Sequence, residues 1–369
     1  MIDKVQILLD GKEYFKVNNI RLEEVIQGFL SIRTANIDVV FNNIKTREFE
    51  ALLDDKGVML MKVIIDNKIW QQSYIGKNNL NEDKSVDGGT QIQIQTTDPF
   101  YSLSYSHVID VYNQTHKTLQ IALQRTLAEL KFVDFKIQNG SGISNIDLKN
   151  GGNQKSIKGG ECADLIGGMC SLYKVILKSN GVDTITIEKH NGNQNIIDNI
   201  YVLTDSNGKV YKSNTQFVRK VGNGNILPGR IIVLNSAKIK DSNATSVIVP
   251  FKNGMPFTQK VKTVHMEASY KQIANAITYQ MMGMTARANS YTYSIPSKVF
   301  DKDGNFYSIN TLISVYDEER GINENMNIVG LSTTIDADSG SNTTLNLVNQ
   351  NAFDTLDNLK IKKSLLKNK

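Results

Sequence analysis

Residues 303–315 read Asp-Gly-Asn-Phe-Tyr-Ser-Ile-Asn-Thr-Leu-Ile-Ser-Val. The stretch combines a turn centred on Gly304, an aromatic pair, an asparagine and an apolar strand. Two further strand patterns follow at 328–335 and 343–348, joined by the polar turn 336–342. Short apolar runs bounded by Gly, Asn, Asp and Ser are typical of antiparallel strands. The sequence therefore predicts a run of short strands over residues 291–353.

The first 110 residues follow the same pattern. Val5, Ile7 and Leu9 alternate, and Asp10-Gly11 then supplies a hairpin turn that requires positive φ. Five further predicted strands continue this pattern, at 18–22, 37–41, 58–65, 68–75 and 90–96. Residues 22–29 fit a helical turn or a strand. Strands separated by frequent turn signals predict a barrel or a sandwich.

The middle of the chain changes to a helical period. After Thr115 or Thr118, either of which could cap a helix, one apolar stripe is formed by Leu119, Ala122, Leu123, Leu127 and Leu130. A second helix is predicted at about 161–173, followed by a hairpin over 174–188. Cys162 and Cys170 lie eight residues apart in that helix, too far to form a disulfide, and are interpreted as buried apolar side chains.

Strands return at 191–235, and a longer helix with a Met-rich face is predicted from Ser269. The fold class is a β-rich α+β fold with two similar β-barrel domains plus smaller α/β domains. Its predicted parts are a first barrel, an α/β domain, a second barrel in two segments, a helix-bearing insert and a basic tail: 1–110, 111–190, 191–235 with 291–353, 236–290 and 354–369.

The net positive charge of the chain arises at its C-terminal end. The formal net charge is +5, and five lysines without an acidic neighbour account for it: Lys360, Lys362, Lys363, Lys367 and Lys369. A nucleic-acid-binding domain carries its basic excess on a folded face instead. The tail is interpreted as a solvated terminus, with contact to an acidic neighbour or to DNA as the alternative.

No arrangement of residues predicts catalysis. Residues 301–305 lack the spacing and closing glutamate of a calcium loop, and the glycines of 222–229 do not fit a dinucleotide site. Adjacent acids such as Glu23 and Glu24 are interpreted as solvated surface, because neighbours on a strand point to opposite faces. No catalytic, cofactor-binding or metal-binding residue is predicted. The sequence predicts no membrane helix and no secretion signal, and therefore folding in a cytoplasm.

The C-terminal strands resemble a known family. Gly304, Tyr307, Asn310 and Val315, then strand 328–335 and a strand containing Leu345 and Leu347, follow the order of the C-terminal barrel in the Mu-like tail protein family. These are baseplate hub proteins of contractile phage tails, related to the T-even hub and to the tail protein D family. Residues 164–188 resemble the middle domain of the family. Many members have Trp where this chain has Tyr307.

The resemblance implies a structural role without catalysis, cofactor or small-molecule substrate. It implies a homotrimer in which each chain contributes two barrels, so that six barrels face a hexameric tail tube and the threefold face receives a central spike. Tail tube protein, spike protein and other baseplate proteins are the expected partners, and DNA only passes through the lumen. The expected location is the virion, after assembly in the host cytoplasm. The alternative is a receptor- or glycan-binding phage tail protein.

Overall fold

The structure is a computed structural model that describes residues 5–350. Within that range it leaves out 28, 43, 85–89, 105–106, 109–117, 131–133, 147–159, 162–165, 168–169, 171–172, 190–194, 222–229, 236–245, 251–260, 267–289 and 337. Cys162, the predicted helix beginning at Ser269 and the basic tail with its five lysines lie outside the described residues.

The first sheet unit spans residues 5–97. Its elements are β1 (Val5–Leu9), β2 (Lys12–Glu13), β3 (Phe15–Gln27), β4 (Leu30–Phe41), α1 (Thr46–Lys56), β5 (Met59–Ile65), β6 (Lys68–Ile75), β7 (Leu80–Lys84) and β8 (Thr90–Thr97). Asp10 and Gly11 have φ of 47° and 80°, as the predicted hairpin turn requires. The ambiguous segment 22–29 belongs largely to β3.

Helix α1 was not predicted from the sequence. It buries Phe49 and Leu53, which lie one turn apart, and it ends at Gly57, whose φ is 73° and whose N–H donates to the Leu53 carbonyl at 2.8 Å. The ring of Phe49 packs edge-on against Phe15 at 5.1 Å. Only two of its eleven residues are fully buried apolar side chains, so the period was too short to stand out between strands.

The α/β unit spans residues 118–189. Its elements are α2 (Leu119–Glu129), β10 (Lys136–Asn139), β11 (Gly160–Glu161), β12 (Val175–Ser179) and β13 (Thr184–Lys189), and β9 (His107–Val108), which precedes the unit, pairs with β11. Of the two predicted caps, Thr118 is used, since its hydroxyl oxygen accepts the Ile121 N–H at 3.3 Å. Helix α2 and the helical residues Ile166 and Cys170 pack on β12 and β13.

The second sheet unit is formed by two segments of the chain. The first segment contains β14 (Ile196–Thr204), β15 (Val210–Ser213) and β16 (Phe217–Val221). The strands that follow in the chain are β17 (Arg230–Asn235), β18 (Ser246–Pro250) and β19 (Val261–Met266). The second segment contains β20 (Ser290–Pro296), β21 (Leu312–Asp317), β22 (Ile322–Asp336) and β23 (Gly340–Asn349). The sequence placed 230–235 in the second barrel, but β17 bonds only to β18 and β19 among the described strands. Strands β17, β18 and β19 therefore form a three-stranded sheet of their own.

The three units share one fourteen-stranded sheet. Two of its long strands, β4 and β22, have a divided edge, which means that different parts of the strand pair with different partner strands. One edge of β4 is bonded along its length to β3, while the other pairs with β12 at Leu30 and with β8 from Thr34 onward. Strand β22 likewise pairs with β21 over its first half and with β3 over residues 330–336. A smaller sheet in the order β2-β1-β5-β6 completes the first sheet unit.

Candidate functional site at the junction of the three units

The residues carrying the family resemblance do not form one pocket. Val315, Leu345 and Leu347 have no exposed surface and belong to the apolar core that the two sheet units share. Tyr307 is 1% exposed, and its hydroxyl donates to the Asp198 carboxylate, which also accepts the Lys298 ammonium. These residues stabilise the second sheet unit rather than present reactive groups.

The buried phenol and carboxylate at this position have shifted pKa values. Burial and the hydrogen bond to Asp198 both raise the pKa of Tyr307, so it stays protonated as a donor. Burial by itself raises the pKa of Asp198, but the bonds from Lys298 and Tyr307 outweigh it and hold that pKa below its usual value. The pair is a fixed charge-assisted hydrogen bond, not an acid and base of matched pKa.

Gly304 lies in a tight turn with φ of 76°. The Asp301 carboxylate accepts the N–H groups of Asp303 at 2.9 Å and Asn305 at 2.8 Å. This aspartate therefore closes the turn and does not serve as a ligand of a calcium loop. The Gly304 carbonyl accepts the Lys68 ammonium from the first sheet unit. The turn is thus also a contact between the two sheet units.

Asn310 bonds first within the second sheet unit, where its N–H donates to the Ile328 carbonyl at 2.8 Å and its Oδ1 accepts Asn327 Nδ2 at 3.5 Å. It is 1% exposed with φ of 59°, a conformation that asparagine tolerates. Its Nδ2 donates to Glu188 Oε2 at 2.7 Å and to the Lys189 carbonyl at 2.9 Å, both at the end of β13. Asn310 therefore joins the second sheet unit to the α/β unit.

A buried ion pair between Glu24 and Arg33, which contacts all three units, was not predicted from the sequence. Glu24 has no exposed surface, so its interpretation as solvated is wrong. Its carboxylate accepts Arg33 Nε at 3.3 Å, Ser31 Oγ at 3.1 Å, and Ser308 Oγ of the second sheet unit at 3.1 and 3.2 Å. A signal existed, because Glu24 continues the inward phase of Ile20 and Leu22 along β3.

Arg33 connects that carboxylate to the other units. Its Nη1 donates to the Trp70 carbonyl at 2.9 Å and to the Asn180 carbonyl at 2.7 Å, and its guanidinium lies 4.3 Å from the Trp70 ring centroid. Trp70 in turn packs edge-on against Phe306 of the second sheet unit at 5.1 Å. One side chain thus contacts the first sheet unit and the α/β unit while it neutralises the buried glutamate.

The turn between β12 and β13 fits closely against Arg33. Gly181 has φ of 78°, and a Cβ placed on it would lie 2.6 Å from the Trp70 carbonyl oxygen and 2.8 Å from Arg33 Cδ. Its own carbonyl accepts the Gln72 N–H at 2.8 Å. Only glycine satisfies both the backbone conformation and the space. We call Glu24, Arg33, Trp70, Gly181, Ser308 and Asn310, with the adjacent Asp98, the junction.

Asp98 is a buried carboxyl group of the junction with a shifted pKa. Its Oδ1 accepts the Phe100 N–H at 2.7 Å, while its Oδ2 is buried without a hydrogen-bond partner among the described residues. Burial raises the pKa of this carboxyl to about 6, against the opposing effects of hydrogen bonds and of the Arg33 charge. The proton on Asp98 is therefore held more tightly in the folded protein than in the unfolded chain.

The described residues offer no site for a metal ion. Among them, no cluster of His, Cys, Asp and Glu side chains could hold a metal ion. The Cys170 thiol is buried, and burial raises its pKa well above the ordinary value. Within the described part of the chain, no helix is both long and apolar enough to span a membrane.

Substituting Gly181 tests the close fit of the turn. Gly181→Ala should lower the free energy of unfolding by about 1–3 kcal/mol more than Gly11→Ala, because overpacking is added to the same backbone strain. Gly11 is a matched control, since it has φ of 80° and a Cβ added to it would meet nothing within 4 Å. Denaturant unfolding measures both variants, and equal losses would contradict the fit.

Removing the Asn310 amide tests the bond between the second sheet unit and the α/β unit. Asn310→Gly keeps the left-handed backbone accessible and should cost about 1–3 kcal/mol through the unsatisfied Glu188 and Lys189 oxygens. Asn310→Ala should cost more, since it adds backbone strain. Thermal unfolding with Asn323→Ala, an exposed asparagine of β22, as the control measures this, and unchanged melting temperatures for both variants would refute it.

The Asp98 carboxyl should make stability fall with rising pH. Its folded pKa of about 6 lies above the ordinary value near 3.9, so between roughly pH 4 and 6 the unfolded chain loses this proton first. The free energy of unfolding of Asp98→Asn, relative to that of the parent chain, should therefore increase by about 2–3 kcal/mol as the pH rises from 4 to 7.5. Asp55→Asn, on the exposed side of α1, is the control, and a pH-independent difference for Asp98→Asn would contradict the assignment.

Comparisons with known proteins identify the fold. No protein-family model and no curated protein matches the sequence. A tail protein from Neisseria meningitidis is 13% identical and superimposes with a TM-score of 0.68, covering 96% of this chain and 98% of its own. The 43 kDa tail protein of a Shewanella oneidensis prophage is also 13% identical, with a TM-score of 0.63 and coverage of 95% and 99%.

A third solved structure extends the comparison beyond phage tails. It is an Escherichia coli component of the type VI secretion system described as structurally similar to the T4 tail proteins gp27 and gp5. It is 8% identical with a TM-score of 0.54, and the match covers 93% of this chain and 76% of the other. At these identities the likeness concerns the fold alone. Over nearly its whole length, the chain has the β-rich fold of phage tail proteins.

Proposed function

We propose that the protein is a non-catalytic, trimeric baseplate hub that joins a hexameric tail tube to a central spike. The observation that carries this is the ladder between β3 and β22, which runs from Val25↔Gly330 to Asn19↔Asp336 and bonds two sheet units within one chain. Because the junction fixes their relative position, each chain contributes two sheet units as one body. Three chains then supply six units to a sixfold partner.

Each sheet unit is proposed to be a β-barrel. In the second unit the strand order is β15-β14-β21-β22-β23-β20-β16, so its two terminal strands are consecutive in the chain. The link between them, residues 214–216, is hydrogen-bonded to β14 and to β20. Asn214 Oδ1 accepts the Tyr201 N–H at 3.0 Å, and the Gln216 N–H donates to the Ser294 carbonyl at 3.1 Å. Bringing both ends of a sheet together is the geometry that removes exposed edges.

The proposed domains follow the sequence prediction with one change. Residues 1–110 form the first barrel, 111–190 the α/β domain, and 191–221 with 291–353 the second barrel. The insert is extended to 222–290 because β17 pairs within it. The tail 354–369, with its lysines, is proposed to contact an anionic partner or solvent.

The proposed partners follow from the six-unit arrangement and from the tail proteins that share this fold. One face of the ring docks on the tail tube protein, and the opposite threefold face binds a spike protein, with other baseplate proteins around it. DNA passes through the lumen, and no small molecule is bound. The protein is a virion component of the Mu-like hub type, assembled in the host cytoplasm. Cyclic closure keeps such an assembly finite.

Mass measurement of the purified chain tests the proposal. Native mass spectrometry and light scattering should give three times the mass of one chain, and electron microscopy of that species should show a ring with six lobes. The trimer should bind a tail tube protein but not host cells or glycans. A monomer that retains host cells or sugars would identify a receptor-binding tail protein instead and would overturn the hub proposal.

A further inference from the structure

The exposed apolar side chains fall into two patches on different sheet units. Among the described residues, the large hydrophobic side chains with high exposure are Val58, Ile69, Tyr74, Val210, Tyr211 and Tyr316. The first three lie on or beside β5 and β6, and we call them the first patch. The last three lie on β15 and β21, and we call them the second patch. Clustered apolar exposure of this kind marks interaction surfaces.

The first patch belongs to a sheet face whose composition is unusual for a solvated surface. Strand β5 alternates buried and half-buried residues, and its outward positions include Leu60 and Ile64. Leu60 is paired with Tyr74, and Ile64 with Ile69, so apolar residues face outward on both strands. An antiparallel sheet with one solvated face normally places polar residues there. This outward face is therefore suited to being covered.

The second patch is rich in tyrosine. Tyr316 of β21 is adjacent to Tyr201 of β14 in the parallel ladder, and Lys212 Nζ lies 5.6 Å from the Tyr201 ring centroid. Tyr211 is 66% exposed on β15, which is a terminal strand in the sheet order. Tyrosines that combine a large apolar ring with a polar end are favoured at protein interfaces.

Each patch has an ionised side chain without a counter-ion among the described residues, Lys62 at the first and Glu318 at the second, where Lys212 lies over the Tyr201 ring. Lys62 lies between the two apolar pairs of the first patch, opposite Gln72, and forms no ion pair within the described part of the chain. Glu318 lies beside the second patch, and its carboxylate accepts the Tyr316 hydroxyl at 2.9 Å, the Thr204 N–H at 2.5 Å and the Thr204 hydroxyl at 3.3 Å. It has no cationic partner in the described ranges. Complementary charges of this kind set the register of an interface.

We propose that the second patch of one chain binds the first patch of a second copy of the same chain, with Lys62 of one facing Glu318 of the other. The proposal rests on the trimeric hub above and names the surface that closes it. The two patches lie on different sheet units, so the contact is head-to-tail, and a head-to-tail contact that closes gives a ring. The charge complementarity and the outward apolar pairs favour a second copy over an unrelated partner.

Cross-linking between cysteines introduced into the two patches tests this contact. Tyr74→Cys and Tyr211→Cys are made separately and together, treated with a short bis-maleimide, and analysed under denaturing conditions. The double variant should give covalent dimers and trimers, whereas each single variant should match the treated parent chain, which reports on the native cysteines. Cross-linked dimers from either single variant would show a patch meeting itself and would overturn the proposal.

The mass of the uncross-linked parent chain separates the two hypotheses. A trimer whose double-cysteine variant does not cross-link would overturn the assigned surface and leave the hub proposal standing. A monomer would overturn both. As a second readout, Lys62→Glu should weaken association at least tenfold, because it places like charge opposite Glu318. The control is Gln138→Glu on the exposed part of β10, which lowers the charge by one unit where Lys62→Glu lowers it by two, and it should leave association unchanged. Equal association for both variants would contradict the contact.

Discussion

The placement of the three units depends on one buried ion pair. Glu24 and Arg33 are removed from water, and such a pair is tolerated only where the remaining hydrogen-bonding groups are satisfied. Here the additional partners come from all three units: Ser308 from the second sheet unit, Asn180 from the α/β unit and the Trp70 carbonyl from the first. Separating any unit would leave a charge or a polar group without its partner, so the junction favours a single relative placement.

The divided edges of β4 and β22 also hold the units in one relative placement. Each long strand extends past the unit to which it belongs and continues the ladder into another, which makes the backbone hydrogen bonds of adjoining units continuous. The apolar core is shared as well, since residues from both sheet units belong to one cluster. A body built in this way holds its two sheet units in one arrangement.

The contacts between the sheet units in the interior differ in kind from the outward faces, and this difference supports the proposed assembly. The interior contacts between the sheet units combine a ladder, an ion pair and an aromatic contact between Trp70 and Phe306. The outward faces keep apolar pairs, together with Lys62 and Glu318, for which the described residues provide no counter-ion. A chain that completes its internal joints and leaves two complementary patches outside is suited to association with copies of itself.

Local signals in the sequence determined the strands, the Asp10-Gly11 turn, the Thr118 cap and helix α2, because each depends on residues a few positions apart. The sequence could not reveal that Asn310 would bond to Glu188, or that β17 would leave the second sheet unit for the insert, since those pairings join distant segments. Glu24 shows the limit most clearly. Its inward phase on β3 was readable, but whether an inward carboxylate is stabilised depends on Arg33 and Ser308, and only the tertiary structure brings both within hydrogen-bonding distance.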